Sequence, residues 1–218
     1  VEYADPAVAA PVFARLRNEG ALGGLMITEP DFGTDALNMR TNYQNTDTGY
    51  AIQGEKHWAG LTGWADYWLV TARRRNNDGS LHRDIGFFFI DSRQPDQLIR
   101  VKEYYNNLGL YMIPYGHNEL DLSVPENHKL SFDTSGVRLM QDLLHRSRMR
   151  FPGMALGFIR RTLDEAWEHC TGRQIGGKPL FQYDQVQRRL TQLQGWFTTA
   201  AAFCRDAALR SGIQMNLV

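Results

Sequence analysis

Apolar residues in the first half of the chain come in short runs separated by polar turn text. Leu22 to Thr28 is a compact run ended by Glu29-Pro30. Tyr50-Ala51-Ile52 follows the turn text Asn45-Thr46-Asp47-Thr48-Gly49, which predicts a hairpin. Tyr67 to Ala72 and Gly86 to Asp91 are apolar and bounded by polar loops. Gly116 to Leu122 alternates, then stops at Val124-Pro125. Runs of this length and spacing predict a small antiparallel β-barrel or sandwich from about residue 21 to residue 132.

From about residue 133 the period changes. Gly136 to about Thr171 reads as a long helix, with Asp133, Thr134 and Ser135 available as N-caps. Pro152-Gly153 is expected to kink or split it. Gly172 and Gly176-Gly177 mark a break, and Pro179 is expected to open the next helical segment. There, apolar residues recur at Val186, Leu190, Leu193, Phe197, Ala201, Cys204 and Ala208, the spacing of one buried stripe. Two long helices joined by a short loop are expected to pack antiparallel. Residues 1–20 read as the tail of a helix. The expected fold class is α+β.

Composition excludes several classes. Lys+Arg and Asp+Glu are both 24, a formal charge of +0, so no global field favours nucleic acid or an anionic membrane. No apolar run approaches a membrane span, and Val1-Glu2-Tyr3-Ala4-Asp5 is neither basic nor apolar as a signal sequence is. Cys170 and Cys204 read as reduced core thiols, hence a reducing compartment. Glu168-His169-Cys170 are consecutive helix residues pointing in different directions, so no metal site is expected. Arg73-Arg74-Arg75 reads as a solvated loop.

Two segments carry candidate chemistry: Ile27-Thr28-Glu29-Pro30-Asp31-Phe32-Gly33-Thr34-Asp35 and Gly54-Glu55-Lys56-His57-Trp58-Ala59-Gly60. The first is a strand running into a turn, with hydroxyls at Thr28 and Thr34. The second puts an indole beside backbone left bare by Gly60. Together they present hydroxyls, free amides and an aromatic wall suited to a flat polar ring such as a flavin. Taken singly, Thr28 is also an ordinary strand end, Trp58 also a core residue, Arg148 also a solvated helix charge, and Arg173 also a partner for a helix C-terminus.

In order and spacing these segments resemble the acyl-CoA dehydrogenase family of flavoproteins. The first resembles its Thr-Glu-Pro-x-x-Gly-Ser-Asp signature, with Thr34 for serine. The second resembles Gly-x-Lys-x-Trp-Ile-Thr-Asn up to the tryptophan. Lys102 to Leu122, with Leu108-Gly109 and Val124-Pro125-Glu126-Asn127, resembles the end of the family's β-domain. Leu163-Asp164-Glu165-Ala166, Arg173, Gly177-Lys178-Pro179-Leu180 and Asp184-Gln185-Val186-Gln187 resemble the start of its C-terminal helical domain.

The resemblance implies an internal stretch of a longer protein. Residues 1–20 would be the tail of an N-terminal helical domain, 21–132 the β-domain, and 133–218 the first part of an incomplete four-helix bundle. It implies FAD as cofactor and an acyl-CoA thioester as substrate, losing a proton from Cα and a hydride from Cβ to flavin N5. Leu25, Ile27 and Thr28 would lie along the ring's edge, Trp58 would cover a face, and Thr34 would meet flavin or acyl-CoA. Gly60 stands where many members carry a hydroxyl that reaches N5. Arg173 would meet the FAD pyrophosphate, Gln185 the adenosine end of a neighbouring subunit's FAD, and Arg148 the substrate. No catalytic base is assigned: one family position for it falls on Ser147, which cannot serve. Leu25 and Gly176 replace usual aromatics. The resemblance also implies a homodimer or homotetramer, an electron-transfer flavoprotein or oxygen as electron acceptor, and a cytoplasmic or mitochondrial-matrix location. An acyl-CoA oxidase and a non-catalytic structural subunit are the alternatives.

Overall fold

A computed structural model describes residues 3–148 and 151–210. The chain divides into two compact units, Val1–Leu139 and Met140–Val218.

The first unit opens with α1 (Pro6–Asn18). The Asp5 side chain accepts from the Ala7 amide at 2.8 Å, and Pro6 supplies a preset first turn. Arg15 near its end donates to the buried Tyr67 hydroxyl at 2.9 Å and ties the helix to the sheet.

Seven strands follow: β1 (Gly23–Met26), β2 (Asn42–Thr46), β3 (Gly49–Gly60), β4 (Tyr67–Arg75), β5 (Leu81–Asp91), β6 (Ile99–Tyr104) and β7 (Tyr115–Pro125). The expected β2–β3 hairpin forms, with Thr46 opposite Gly49 across Asp47-Thr48. β3 pairs β7, β7 pairs β6 and β4 pairs β5, all antiparallel. The sheet is nevertheless mixed, which corrects the antiparallel expectation. β1 runs parallel to β4 through Gly23↔Tyr67 to Met26↔Val70, and β2 runs parallel to β4 through Asn42↔Arg73 and Tyr43↔Arg74. Alternation within a strand reports which face is buried and carries no information about a partner's direction.

This pairing has a consequence for the chain between β1 and β2. Both strands pair with successive stretches of β4, so residues 27–41 leave the sheet after Met26 and return at Asn42. The first candidate segment is this excursion. Below it, Met26, Tyr43, Ile52, Trp68, Val70, Phe88, Leu120, Leu122 and Val124 form the core. Gly24 is required there, because a Cβ would overlap the buried Trp68 ring.

Arg73–Arg75 end β4 and are strand where a loop is expected, although Arg74 and Arg75 are exposed. The Arg73 guanidinium donates to the carbonyls of His82, Met39 and Leu81, stitching β4 to its neighbours.

α2 (Gly136–Arg148) is capped by Ser135, whose hydroxyl accepts from the Arg138 amide at 3.3 Å. Gly136 starts it against Ile85, whose carbonyl a Cβ would strike. The expected long helix is described in two stretches, α2 as far as Arg148 and α3 over Phe151–Gly172, with Pro152 inside α3. Residues 149–150 of that expected helix, and 211–218 of the expected helical domain, lie outside the described residues. The second unit then turns through a small hairpin, β8 (Gln174–Ile175) and β9 (Lys178–Pro179), before α4 (Asp184–Leu209). Gly176 and Gly177 have φ of 58° and 82°, the left-handed pair that a tight two-residue turn requires. Pro179 therefore sits in β9, and α4 starts five residues later than expected. Arg160 of α3 lies 6.0 Å from the Phe197 ring of α4, while Trp167 meets Phe181 at 4.8 Å, the order of an antiparallel pair. Leu190 and Ala207 are buried on α4, whereas Leu193 and Ala208 of the expected stripe are exposed.

Candidate functional site

The two candidate segments meet through a buried ion pair. Opposite pairs on β3 and β7, Ile52↔Leu122, Gly54↔Leu120 and Lys56↔Asn118, share the inward face. Lys56 therefore falls on a core-facing position and is fully buried. Its ammonium donates to Glu29 Oε1 at 3.0 Å, the Ile27 carbonyl at 3.1 Å and Thr71 Oγ1 at 3.2 Å. Glu29, buried in turn, accepts from the Thr41 amide at 3.0 Å and from the Arg40 amide. Its carboxylate thus bridges both ends of the excursion. Burial pushes the Lys56 ammonium down to about 8, against the opposing pull of Glu29. The His57 amide donates to the Thr28 carbonyl at 2.8 Å and aligns the two segments beyond the ion pair.

The β3–β7 register then slips between Lys56 and Ala59. At this bulge Trp58 has φ of 56°, the left-handed region that a bulky residue rarely adopts. The twist throws the indole outward, and Trp58 is 53% exposed. The core role open to it in the sequence is taken by Trp68. One side of the indole is backed by Tyr105 at 4.7 Å, with His57 at 5.6 Å and Tyr115 at 6.5 Å. Burial lowers the His57 pKa, helped by neighbouring His117, and raises that of Tyr105. Behind this cluster, Lys102 and then His117 hold the Glu55 carboxyl below the usual range.

Next to this wall, the half-buried Thr28 has neither its amide nor its hydroxyl bonded to any described residue. Leu25, in β1, and Ile27 are also half-buried on this stretch. Gly60 ends β3, and a Cβ there would lie 3.3 Å from the Tyr115 ring. An aromatic face beside unspent donors is what a flat heteroaromatic ring requires, so the residues present fit a flavin. Two clefts of this unit, of about 550 and 580 Å³, lie away from this wall, one around Tyr43, His82 and Lys129, the other around Val12, Arg93 and His128.

The remaining candidates are dispersed. Thr34 stands exposed further round the excursion. Arg148, Arg173 and Gln185 belong to the second unit and are exposed, Arg148 at the end of α2, Arg173 just after α3, and Gln185 in the first turn of α4. Ser147 donates to the Leu144 carbonyl of its own helix at 2.9 Å. Among the described residues no group of three or more His, Cys, Asp or Glu is gathered to hold a metal. Sequence reasoning missed the Lys56–Glu29 pair and the Tyr105 and Tyr115 backing. The inward alternation Ile52, Gly54, Lys56 was the available signal for the first. Nothing local marks the others, which come from far along the chain, Tyr105 just after β6 and Tyr115 at the start of β7.

The family model for the acyl-CoA dehydrogenase middle domain matches residues 24–123, and that for the acyl-CoA dehydrogenase C-terminal domain matches residues 134–212. Probable acyl-CoA dehydrogenase FadE10 of Mycobacterium tuberculosis is 28% identical over 200 residues, covering 90% of this chain and 29% of that protein. Butyryl-CoA dehydrogenase of Megasphaera elsdenii superposes with a TM-score of 0.86 at 23% identity, covering 95% of this chain and 54% of its own. A glutaryl-CoA dehydrogenase of Mycobacterium smegmatis, in complex with FADH2, superposes with a TM-score of 0.81 at 23% identity, covering 94% and 52%. This chain therefore spans about half of each solved structure and less of FadE10. At these identities the superpositions establish the fold, and the two domain matches, in order along most of the sequence, carry the rest. The chain belongs to the acyl-CoA dehydrogenase family.

Proposed function

We propose that this chain is the flavin-holding β-domain and the beginning of the helical domain of an FAD-dependent acyl-CoA dehydrogenase. Residues 1–20 would be the tail of a preceding helical domain, 21–132 the β-domain, and 133–218 the start of a four-helix bundle. The observation that carries the reading is Trp58, held out of the core on a left-handed bulge beside the unspent amide and hydroxyl of Thr28. Strained backbone at an exposed aromatic persists where surrounding structure holds it for a purpose.

Bound FAD would supply the hydride acceptor for α,β-dehydrogenation of an acyl-CoA thioester. Thr28 donates to the ring's polar edge, with Leu25 and Ile27 beside it. Trp58 covers one face and excludes water. Thr34 and Arg148 serve the acyl-CoA side. Arg173, whose planar fork suits a pyrophosphate, and Gln185 serve the dinucleotide of a neighbouring subunit. The proton on Cα would leave to a base outside this segment, since the neutral hydroxyl of Ser147 is too weak a base to take it.

A homodimer or homotetramer is supported by the large apolar side chains exposed on α3 and α4, among them Phe158, Trp196 and Phe203. The electron acceptor would be an electron-transfer flavoprotein or oxygen, and the bare Gly60 favours keeping oxygen, and so an oxidase, as the second reading. Among the described residues no helix is long and apolar enough to cross a membrane, and both cysteines are free, which fits a cytoplasmic or matrix setting.

The test is the visible spectrum of the full-length protein, before and after anaerobic addition of acyl-CoAs. Flavin bands that bleach support the reading, and recovery in air selects the oxidase. A colourless protein that takes up no FAD leaves a structural subunit.

A further inference from the structure

Burying a lysine and a glutamate together is a poor way to gain stability. Desolvating both ions offsets most of their attraction, and apolar residues of similar volume often do as well or better. Lys56 and Glu29 are nevertheless both enclosed and almost fully used. Lys56 reaches three oxygens on two separate stretches of chain, Ile27 and Glu29 at the start of the excursion and Thr71 on β4. Glu29 takes two backbone amides in addition to that ammonium. The bonds converge on the neck of the 27–41 excursion. Thr71 extends the connection, donating to the Met26 carbonyl at 3.1 Å.

What this joint controls is visible on either side of it. One residue before Glu29 is Thr28, with its amide and hydroxyl open. Two residues after Lys56 is Trp58, on the bulge. We infer that Lys56 and Glu29 are positioning residues for the flavin, their ion pair setting the spacing between the polar edge at Ile27–Thr28 and the indole wall of Trp58. Neither side chain touches the ring; both act through the backbone they hold. A hydrophobic core in the same place would be pliable to within a rotamer change. Directional bonds to the Ile27 carbonyl and the Arg40 and Thr41 amides leave the neck one register. The inference rests on the flavin reading above.

The experiment compares Lys56→Met and Glu29→Gln with Leu122→Ala, a core truncation on β7 outside this joint, all in the full-length protein. FAD dissociation constants and bound-flavin visible spectra are measured at a temperature where each is folded. The expected result is a loss of FAD affinity of about tenfold or more in the two joint variants, with a displaced flavin band. Leu122→Ala is expected to lose comparable thermal stability and keep its affinity within about twofold, since a destabilised but folded site binds normally. Glu29→Gln keeps the shape of the carboxylate and carries the comparison if Lys56→Met does not fold. Joint variants with wild-type affinity and spectrum, or a Leu122→Ala that weakens as much as they do, overturn the inference while leaving the flavin reading intact. A wild type that takes up no FAD overturns both.

Discussion

The rings of Trp58 and Tyr105 lie 4.7 Å apart at 48°, so Tyr105 packs against an indole that is still 53% exposed. The pairing holds Trp58 at a backbone angle that a tryptophan adopts at a cost of roughly 1–2 kcal/mol. Replacing it with glycine removes that cost and also removes ring contacts worth about 1 kcal/mol. Trp58→Gly should therefore leave the thermal stability of the apoprotein nearly unchanged while FAD affinity falls. Parallel thermal melts and FAD titrations check this; a large loss of stability would show the indole to be a structural residue.

Lys56 links stability to pH in a direction opposite to most surface lysines. Its folded pKa of about 8 lies below the unfolded value near 10.5. Between those values the unfolded chain holds a proton that the folded one has released, so stability rises with pH across that window and is lowest below it. The difference in unfolding free energy between wild type and Lys56→Met should climb from pH 7 to pH 10.5 by up to a few kcal/mol. Denaturant unfolding at a series of pH values measures it, and a flat difference would mean the ammonium is better solvated than the geometry shows.

Two glycines near the site should respond differently to alanine. At Gly24 the new methyl would overlap the buried Trp68 ring, so overpacking should cost about 1–3 kcal/mol and shift β1 beside Leu25. At Gly60 it meets Tyr115 at 3.3 Å, and that half-buried ring has room to yield, so the cost should stay below about 1 kcal/mol. Melting curves of the two variants, side by side, decide the order.

Arg173 is exposed just past the end of α3. Arg173→Ala should change stability by no more than about 0.5 kcal/mol, the usual range for an exposed position. Its effect should appear in FAD retention on gel filtration of the assembled protein. Unchanged retention would return Arg173 to the plainer role of a charge at a helix end.

Much of this protein is legible in the order of its residues. The short apolar runs predict the strands, the Asp47-Thr48 turn predicts the hairpin, and Ser135 sits where a helix start is expected. The two candidate segments stand out because threonine, tryptophan and glycine are read from local text. Tertiary structure decided the rest. Strand direction against β4 depends on how the chain returns, so alternation could not show that the sheet is mixed. Trp58 and Trp68 are chemically identical, and only the register slip after Lys56 sends one outward while the other fills the core. Glu29 and Lys56 are ordinary surface residues by composition. They become a buried pair because β1 and β2 share β4, which draws residues 27–41 into a loop whose neck closes over β3. Periodicity reports which face of an element is buried; it is silent about which distant element covers that face.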